Sequence, residues 1–212
     1  MELVQVALNN LNIVTSSELD GYGYQSVSDA ISCFKHFSKG RIYENCLEWC
    51  SGPGYLGFAA ANVGLVNNIT LLDIYKDNEL VCNKTIENNN ITNAKFILSD
   101  NFKNVETTET FDLIIGNPPH FNVNYIAPTA TGNDKHGARK FRDEHWNIHK
   151  DFFKNVSNFL SDDGEIMLME NSTGSSINTF KDMISNNNLK IKDYCKSTEY
   201  PNQIWYLHIT KM

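Results

Sequence analysis

The sequence is short of the features that would mark a secreted, membrane-bound or metal-organised protein. Its five cysteines, Cys33, Cys46, Cys50, Cys82 and Cys195, are odd in number and contain no Cys-x-x-Cys pair. Neither a disulfide framework nor a zinc site is readable, and thiols in a reducing compartment are expected. The opening residues, MELVQVALNNLNIV, lack the basic leader and apolar core of a signal peptide. No apolar run approaches the roughly 20 residues of a membrane span. A cytoplasmic location is expected, with no membrane and no metal. Positive charge is also scarce, with 18 Lys+Arg against 25 Asp+Glu, a formal charge of −7. That balance excludes a protein that coats nucleic acid or anionic membrane as a whole, so any such contact must be local. There is no internal repeat and no low-complexity linker.

What is present suits one globular domain with a sizeable core, since 41% of the 212 residues are hydrophobic. From about residue 42, short apolar runs alternate with amphipathic stretches, the pattern of βαβ units and a parallel sheet. Strands are predicted at 45–49, 68–73, 94–99, 111–116 and 164–170, then a closing hairpin-like pair at 189–197 and 203–210. The fold class is therefore α/β, a mostly parallel seven-stranded sheet with an antiparallel last strand and helices on both faces. Helices are expected at 26–37, around 59–63 and at 76–89. A further one over 143–160 would turn Trp146, His149, Phe153, Val156 and Leu160 to the sheet. Residues 1–40 read as an N-terminal extension of loop and helix packing on the core, and 41–212 as the main domain.

LEWCSGPGYLGFAAA (47–61) reads as a strand, a glycine-rich turn and a helix start. Gly52 and Gly54 can take conformations closed to other residues and let a ligand approach, while the helix behind offers free N–H groups. Gly52, Gly54 and Gly57 spell G-x-G-x-x-G, and Asp73 ends the next strand, which alone fits a dinucleotide. Glu48 separates the possibilities. An acid just before the glycines disfavours a pyrophosphate but suits a cationic amino-acid moiety. S-adenosyl-L-methionine carries an ammonium and a sulfonium and no phosphate.

FDLIIGNPPHFN (111–122) runs a strand of aliphatics straight into Asn117, Pro118, Pro119 and His120. The prolines lack the ladder N–H and hold the preceding residue extended, so the segment is a stiff corner. Such a corner either ends a strand or holds a polar side chain where a ligand must meet it.

The order of acid, Gly-rich loop, acid after the second strand, Asp after the third and NPP after the fourth resembles the class I S-adenosylmethionine-dependent methyltransferases. The likeness is to the branch whose fourth strand ends in an NPP-aromatic motif. That branch contains the HemK-type release-factor glutamine methyltransferases, small-domain methyltransferases and amino-group methyltransferases of ribosomal RNA and DNA adenine. The resemblance covers about residues 44–170 by motif and the last two strands by pattern. It implies a Rossmann-like class I methyltransferase sheet and S-adenosyl-L-methionine as cofactor. By position, LEWCSGPG is similar to L-D-x-G-x-G-x-G, with Glu48 for the usual Asp and Cys50 in place of the first Gly. Gly52 and Gly54 would border the methionine part and Asp73 would accept the ribose hydroxyls. Ile74 would pack on the adenine, and Asp100 would meet its amino group with Phe102 nearby. Cys50 would cost stability if its position needs a positive φ, and would be harmless otherwise.

In the resembling enzymes the target is a planar, poorly nucleophilic nitrogen. The Asn117 oxygen and the Pro118 carbonyl would each accept a hydrogen bond from its NH₂ and so aim its lone pair. His120 stands where an aromatic residue is usual and would stack, bond or titrate, with Phe121 sharing the stacking. The long connection 122–142 carries Lys135, His136, Arg139, Lys140 and Arg142. It is either a basic substrate-binding segment, with Arg139 and Arg142 as contacts, or a plain solvated loop. Tyr22, Tyr24 or Gln25 in DGYGYQ would cover the cofactor, and ENSTGSS (170–176) would line the acceptor pocket or cap the next helix. The expected activity is N-methyl transfer to an amino or amide group in RNA, protein or a small molecule. DNA is not the expected acceptor, because the N-terminal residues are too few and too acidic to read a major groove. The alternatives are a nicotinamide-dependent oxidoreductase and an inactive S-adenosylmethionine-binding scaffold.

Overall fold

A computed structural model of the protein describes residues 1–19, 23–122 and 140–212. Two short strands, β1 (Val4–Leu8) and β2 (Leu11–Thr15), form an antiparallel hairpin. The chain continues through α1 (Val27–Ser38), β3 (Tyr43–Trp49), α2 (Tyr55–Asn62), β4 (Val66–Asp73), α3 (Lys76–Asn88), β5 (Ala94–Leu98) and β6 (Phe111–Gly116). After the NPPH corner come α4 (Asn147–Asn155), β7 (Leu160–Asn171), α5 (Ile177–Ser185), β8 (Leu189–Lys196) and β9 (Ile204–Lys211).

Seven strands form one sheet in the order β5-β4-β3-β6-β7-β9-β8. β9 runs antiparallel to both its neighbours and the other pairings are parallel. Leaving β3, the chain builds outward through β4 and β5 and then returns to the other side of β3 as β6. The C-terminal ends of β3 and β6 thus flank the point where the winding reverses, which is where such sheets open a crevice.

Strand residues alternate between two cores. Leu113, Ile115, Met167 and Met169 join the cluster under α1 and α2, whereas Ile114, Ile166 and Leu168 join the cluster under α4 and α5. Period-two alternation with apolar residues on both sides is what a sheet covered on both faces requires. Among the described residues no helix is long and apolar enough to cross a membrane, and no group of His, Cys, Asp and Glu is placed to hold a metal.

Two expectations are corrected. Residues 143–160 are not one helix. His145 and Trp146 take left-handed backbone angles (φ 56° and 58°), α4 starts at Asn147, and Leu160 already begins β7. Asp143 is the cause, since its carboxylate accepts the N–H groups of Ile148 (2.8 Å) and His149 (3.0 Å) and so starts the helix late. The second correction lies at the N-terminus, where a hairpin precedes the helix. Its β2 docks on α3 through the Val14 N–H to the Thr85 hydroxyl (2.9 Å) and the Asn12 N–H to Asn89 Oδ1 (3.0 Å).

Candidate active site

A cavity of about 590 Å³ opens at the C-terminal ends of β3, β4, β5 and β6, within the size range of small-molecule sites. Glu48, Cys50, Gly52, Asp73, Ile74 and Asp100 line one part of it, and Asn117, Pro118, Pro119, His120 and Arg142 another. Gly54 and Phe121 are not among its lining residues, and Arg139 lies outside the described residues, as does Tyr22.

The glycine turn is built by three consecutive demands on backbone geometry. Cys50, Gly52 and Gly54 all have positive φ, at 54°, 52° and 82°. Gly54 is also needed for space, because a Cβ there would lie 2.7 Å from the Phe58 ring and 2.9 Å from Leu71. Cys50 is therefore the strained member, a non-glycine residue held in the left-handed region. Burial pushes its thiol well above the usual range, so it is protonated rather than a reactive thiolate. Asp73 ties the turn to the end of β4, accepting the N–H of Gly52 at 2.8 Å and of Tyr75 at 2.9 Å. Burial raises its carboxyl against these bonds.

Glu48 is 2% exposed and accepts the N–H groups of Gly57 (2.7 Å) and Leu56 (3.2 Å) at the start of α2. A Cβ on Gly57 would fall 2.7 Å from Glu48 Oε2, so that glycine serves the approach of the acid. Burial pushes the Glu48 carboxyl up to about 8, although the two amides work against it. The donors that would cradle a pyrophosphate are thus occupied by a buried acid. A cationic ligand group beside it would be favoured, because it lowers the cost of ionising Glu48.

Beyond Asp73, Ile74 presents an exposed side chain to the cavity, and Asp100 pairs with Lys103 while remaining half exposed. Phe102 is buried away from it, stacked on Phe159 with centroids 4.6 Å apart. Asn101 braces this edge by accepting the Trp49 indole N–H at 2.6 Å and donating to Asp151 at 2.7 Å.

At the NPPH corner, Asn117 Oδ1 is buried and has no hydrogen-bond partner among the described residues, while its Nδ2 lies 3.2 Å from where a Cβ on Gly23 would be. Phe121 turns into the protein, where its N–H donates to the Phe141 carbonyl (2.9 Å) and its own carbonyl accepts from Asp143 (2.8 Å). Gly174 packs against the corner so closely that a Cβ there would come within 2.1 Å of the His120 carbonyl oxygen.

Residues 31–131 match the family model of the methyltransferase small domain. The chain is 40% identical over 75 residues to the ribosomal protein uL3 glutamine methyltransferase of Francisella tularensis, a match covering 35% of this chain and 24% of that protein. It is 29% identical over 126 residues to the release factor glutamine methyltransferase of Fusobacterium nucleatum, covering 57% of this chain and 35% of that one. The matches span 20% to 41% of the length of the curated relatives. Among solved structures, a methyltransferase from Pyrococcus furiosus superposes with a TM-score of 0.67 at 18% identity, covering 96% of this chain and 90% of that one. The sheet order and the antiparallel β9 are those of a Rossmann-like methyltransferase fold.

One group of residues beside the cavity escaped the sequence reading as a unit. His149, fully buried, lies between Asp143 (Nδ1 to Oδ2, 2.6 Å) and Glu170 (Nε2 to Oε1, 3.0 Å). His120 Nδ1 is 3.4 Å from the other Glu170 oxygen. Burial alone would lower His149, but Glu170 and Asp143 outweigh it and hold the ring up to about 9. Burial likewise works to raise Glu170, and the His149 charge with the bonds from both histidines brings it below its usual range. Phe180 stacks on the His149 ring at 4.6 Å, and Trp49 and Trp146 meet it edge-on at 5.3 and 5.5 Å. The available signal was an acid ending the otherwise apolar IMLME and a histidine on the apolar side of the 143–160 pattern.

Proposed function

We propose that this domain transfers the methyl group of S-adenosylmethionine to the side-chain amide nitrogen of a glutamine in a protein. The observation that carries the reading is Asn117 Oδ1, a buried acceptor on the cavity wall without a partner among the described residues. An unsatisfied buried acceptor costs about 1–3 kcal/mol, and a substrate NH₂ would relieve it. The fit to the cofactor rests on the chain's own groups. Glu48 would be ionised by an ammonium placed beside it and so pair with that group, and Asp73 keeps lone pairs for hydroxyls after accepting two backbone N–H groups. Bound there, S-adenosylmethionine would supply an electrophilic methyl on a positively charged sulfur. Asn117 and the Pro118 carbonyl would hold the two amide hydrogens, so the nitrogen lone pair stands out of the amide plane towards that methyl. The names of the two glutamine methyltransferase relatives support an amide acceptor, and the occupied amides at α2 weigh against a nicotinamide dinucleotide.

The test is transfer of tritiated methyl from S-adenosylmethionine into a cell extract split into protein, RNA and small-molecule fractions, with Asn117→Ala alongside. The expected result is label on a glutamine of a protein, reduced about 100-fold or more by the substitution, as loss of alignment dictates. Label confined to RNA would overturn the glutamine acceptor. No label in any fraction would overturn the reading as a whole.

A further inference from the structure

We propose that His120 takes the proton released by the substrate nitrogen, and that Glu170, backed by His149 and Asp143, is the positioning residue that fixes the His120 tautomer. This rests on the methyl-transfer reading above. The four side chains form a line from the cavity wall into the core behind β7, with successive separations of 3.4, 3.0 and 2.6 Å. His149 faces a carboxylate with each ring nitrogen, so both nitrogens donate and the ring is an imidazolium. That cation keeps the fully buried Glu170 ionised, and an ionised carboxylate can only accept. His120 therefore donates from Nδ1 to Glu170, and its Nε2 is left with a free lone pair.

The charge count gives this arrangement a direction. Asp143 and Glu170 as carboxylates with one imidazolium at His149 leave a single negative charge beside a neutral His120. A proton on His120 brings the group to neutrality. In the reaction the substrate nitrogen forms its bond to the methyl carbon while the carbon–sulfur bond breaks and leaves its electron pair on sulfur. The nitrogen, now cationic, gives its extra proton to His120 Nε2. The resulting imidazolium is held against Glu170 and returns the proton to solvent, to which the side chain is 13% exposed. The Ser175 hydroxyl, 3.4 Å from Glu170, also faces the acid, and Glu48, Cys50, Tyr55, Asp73, Tyr75, Asp100, Lys140 and Arg142 are the other titratable groups on the cavity wall among the described residues.

The tautomer can be read without turnover, by nitrogen-15 NMR of histidine-labelled protein. The expected spectrum shows His120 protonated at Nδ1 in the wild type and shifted towards Nε2–H in Glu170→Gln. A wild-type ring protonated at Nε2 would overturn the inference. In the tritium assay, His120→Phe should lower the protein-directed rate about 100-fold and remove the loss of rate at acid pH, with KM for S-adenosylmethionine unchanged. If wild type transfers, Asn117→Ala does not, and His120→Phe keeps the wild-type rate and pH profile, the proton role alone is overturned. If wild type transfers nothing, the methyl-transfer reading fails and the proton role fails with it.

Discussion

Glu48 Oε2 stands 2.7 Å from the Gly57 amide nitrogen, so the acid that precedes the glycines closes over the start of the helix that follows them. The relationship makes the ligand preference of the turn a matter of charge. It also makes the unliganded protein sensitive to pH.

Because burial raises Glu48 from 4.5 to about 8, its protonated form favours folding. The stability it gives is fully present below pH 4.5 and is lost as pH rises through about 8. Glu48→Gln removes that dependence. Thermal unfolding at pH 5 and pH 8 should show the difference between variant and wild type moving in favour of the variant at the higher pH, and an unchanged difference would contradict the raised pKa.

The left-handed backbone at Cys50 predicts a gain from glycine. A non-glycine residue there costs roughly 1–2 kcal/mol, and the added freedom of the unfolded chain returns about 0.5–1 of it. Cys50→Gly should stabilise the protein by about 0.5–1 kcal/mol in urea titrations. A loss of stability would show that packing of the buried thiol outweighs the strain.

Removing His149 should be far more costly. His149→Leu leaves Asp143 and Glu170 buried and facing an apolar side chain, a change worth about 3–5 kcal/mol. The pH signature has a definite sign. Since the folded ring titrates at about 9 against 6.5 unfolded, its contribution is complete below pH 6.5 and is lost as pH rises through 9. Urea midpoints at pH 6 and pH 9.5 should therefore converge for wild type and variant at the alkaline end.

Gly174 offers a test of the NPPH corner from behind. A Cβ within 2.1 Å of the His120 carbonyl oxygen must displace the corner. Gly174→Ala should lose stability by about 1–3 kcal/mol and lower methyl transfer more than cofactor affinity. Gly40→Ala is the control, because a Cβ there meets nothing within 4 Å and only the positive φ of 86° is strained.

Much of the fold was legible because each strand of the sheet is an apolar run bounded by turn residues, and β6 occupies the predicted 111–116. Strand neighbours were less legible. Alternation in 203–210 marks a strand, but only packing puts β9 between β7 and β8. The NPPH corner and the glycine turn could be read because their residues are contiguous. The His120, Asp143, His149 and Glu170 cluster could not, since its members come from three separate segments, with only Asp143 and His149 near one another in sequence, and meet only in the fold. The helix expected over 143–160 misled for a related reason: its apolar spacing is genuine, yet Asp143 bonds forward to Ile148 and His149 and moves the start to Asn147.

The place of β9 has a consequence for how the chain is made. Synthesis proceeds in sequence order, so β8 leaves the ribosome before the strand that will hydrogen-bond to it exists. β7 waits in the same way, with one edge open until Ile204–Lys211 follows. The last strand of the sheet in chain order supplies the pairing for both, and until it emerges two strands keep open edges that depend on the nascent chain's surroundings for protection.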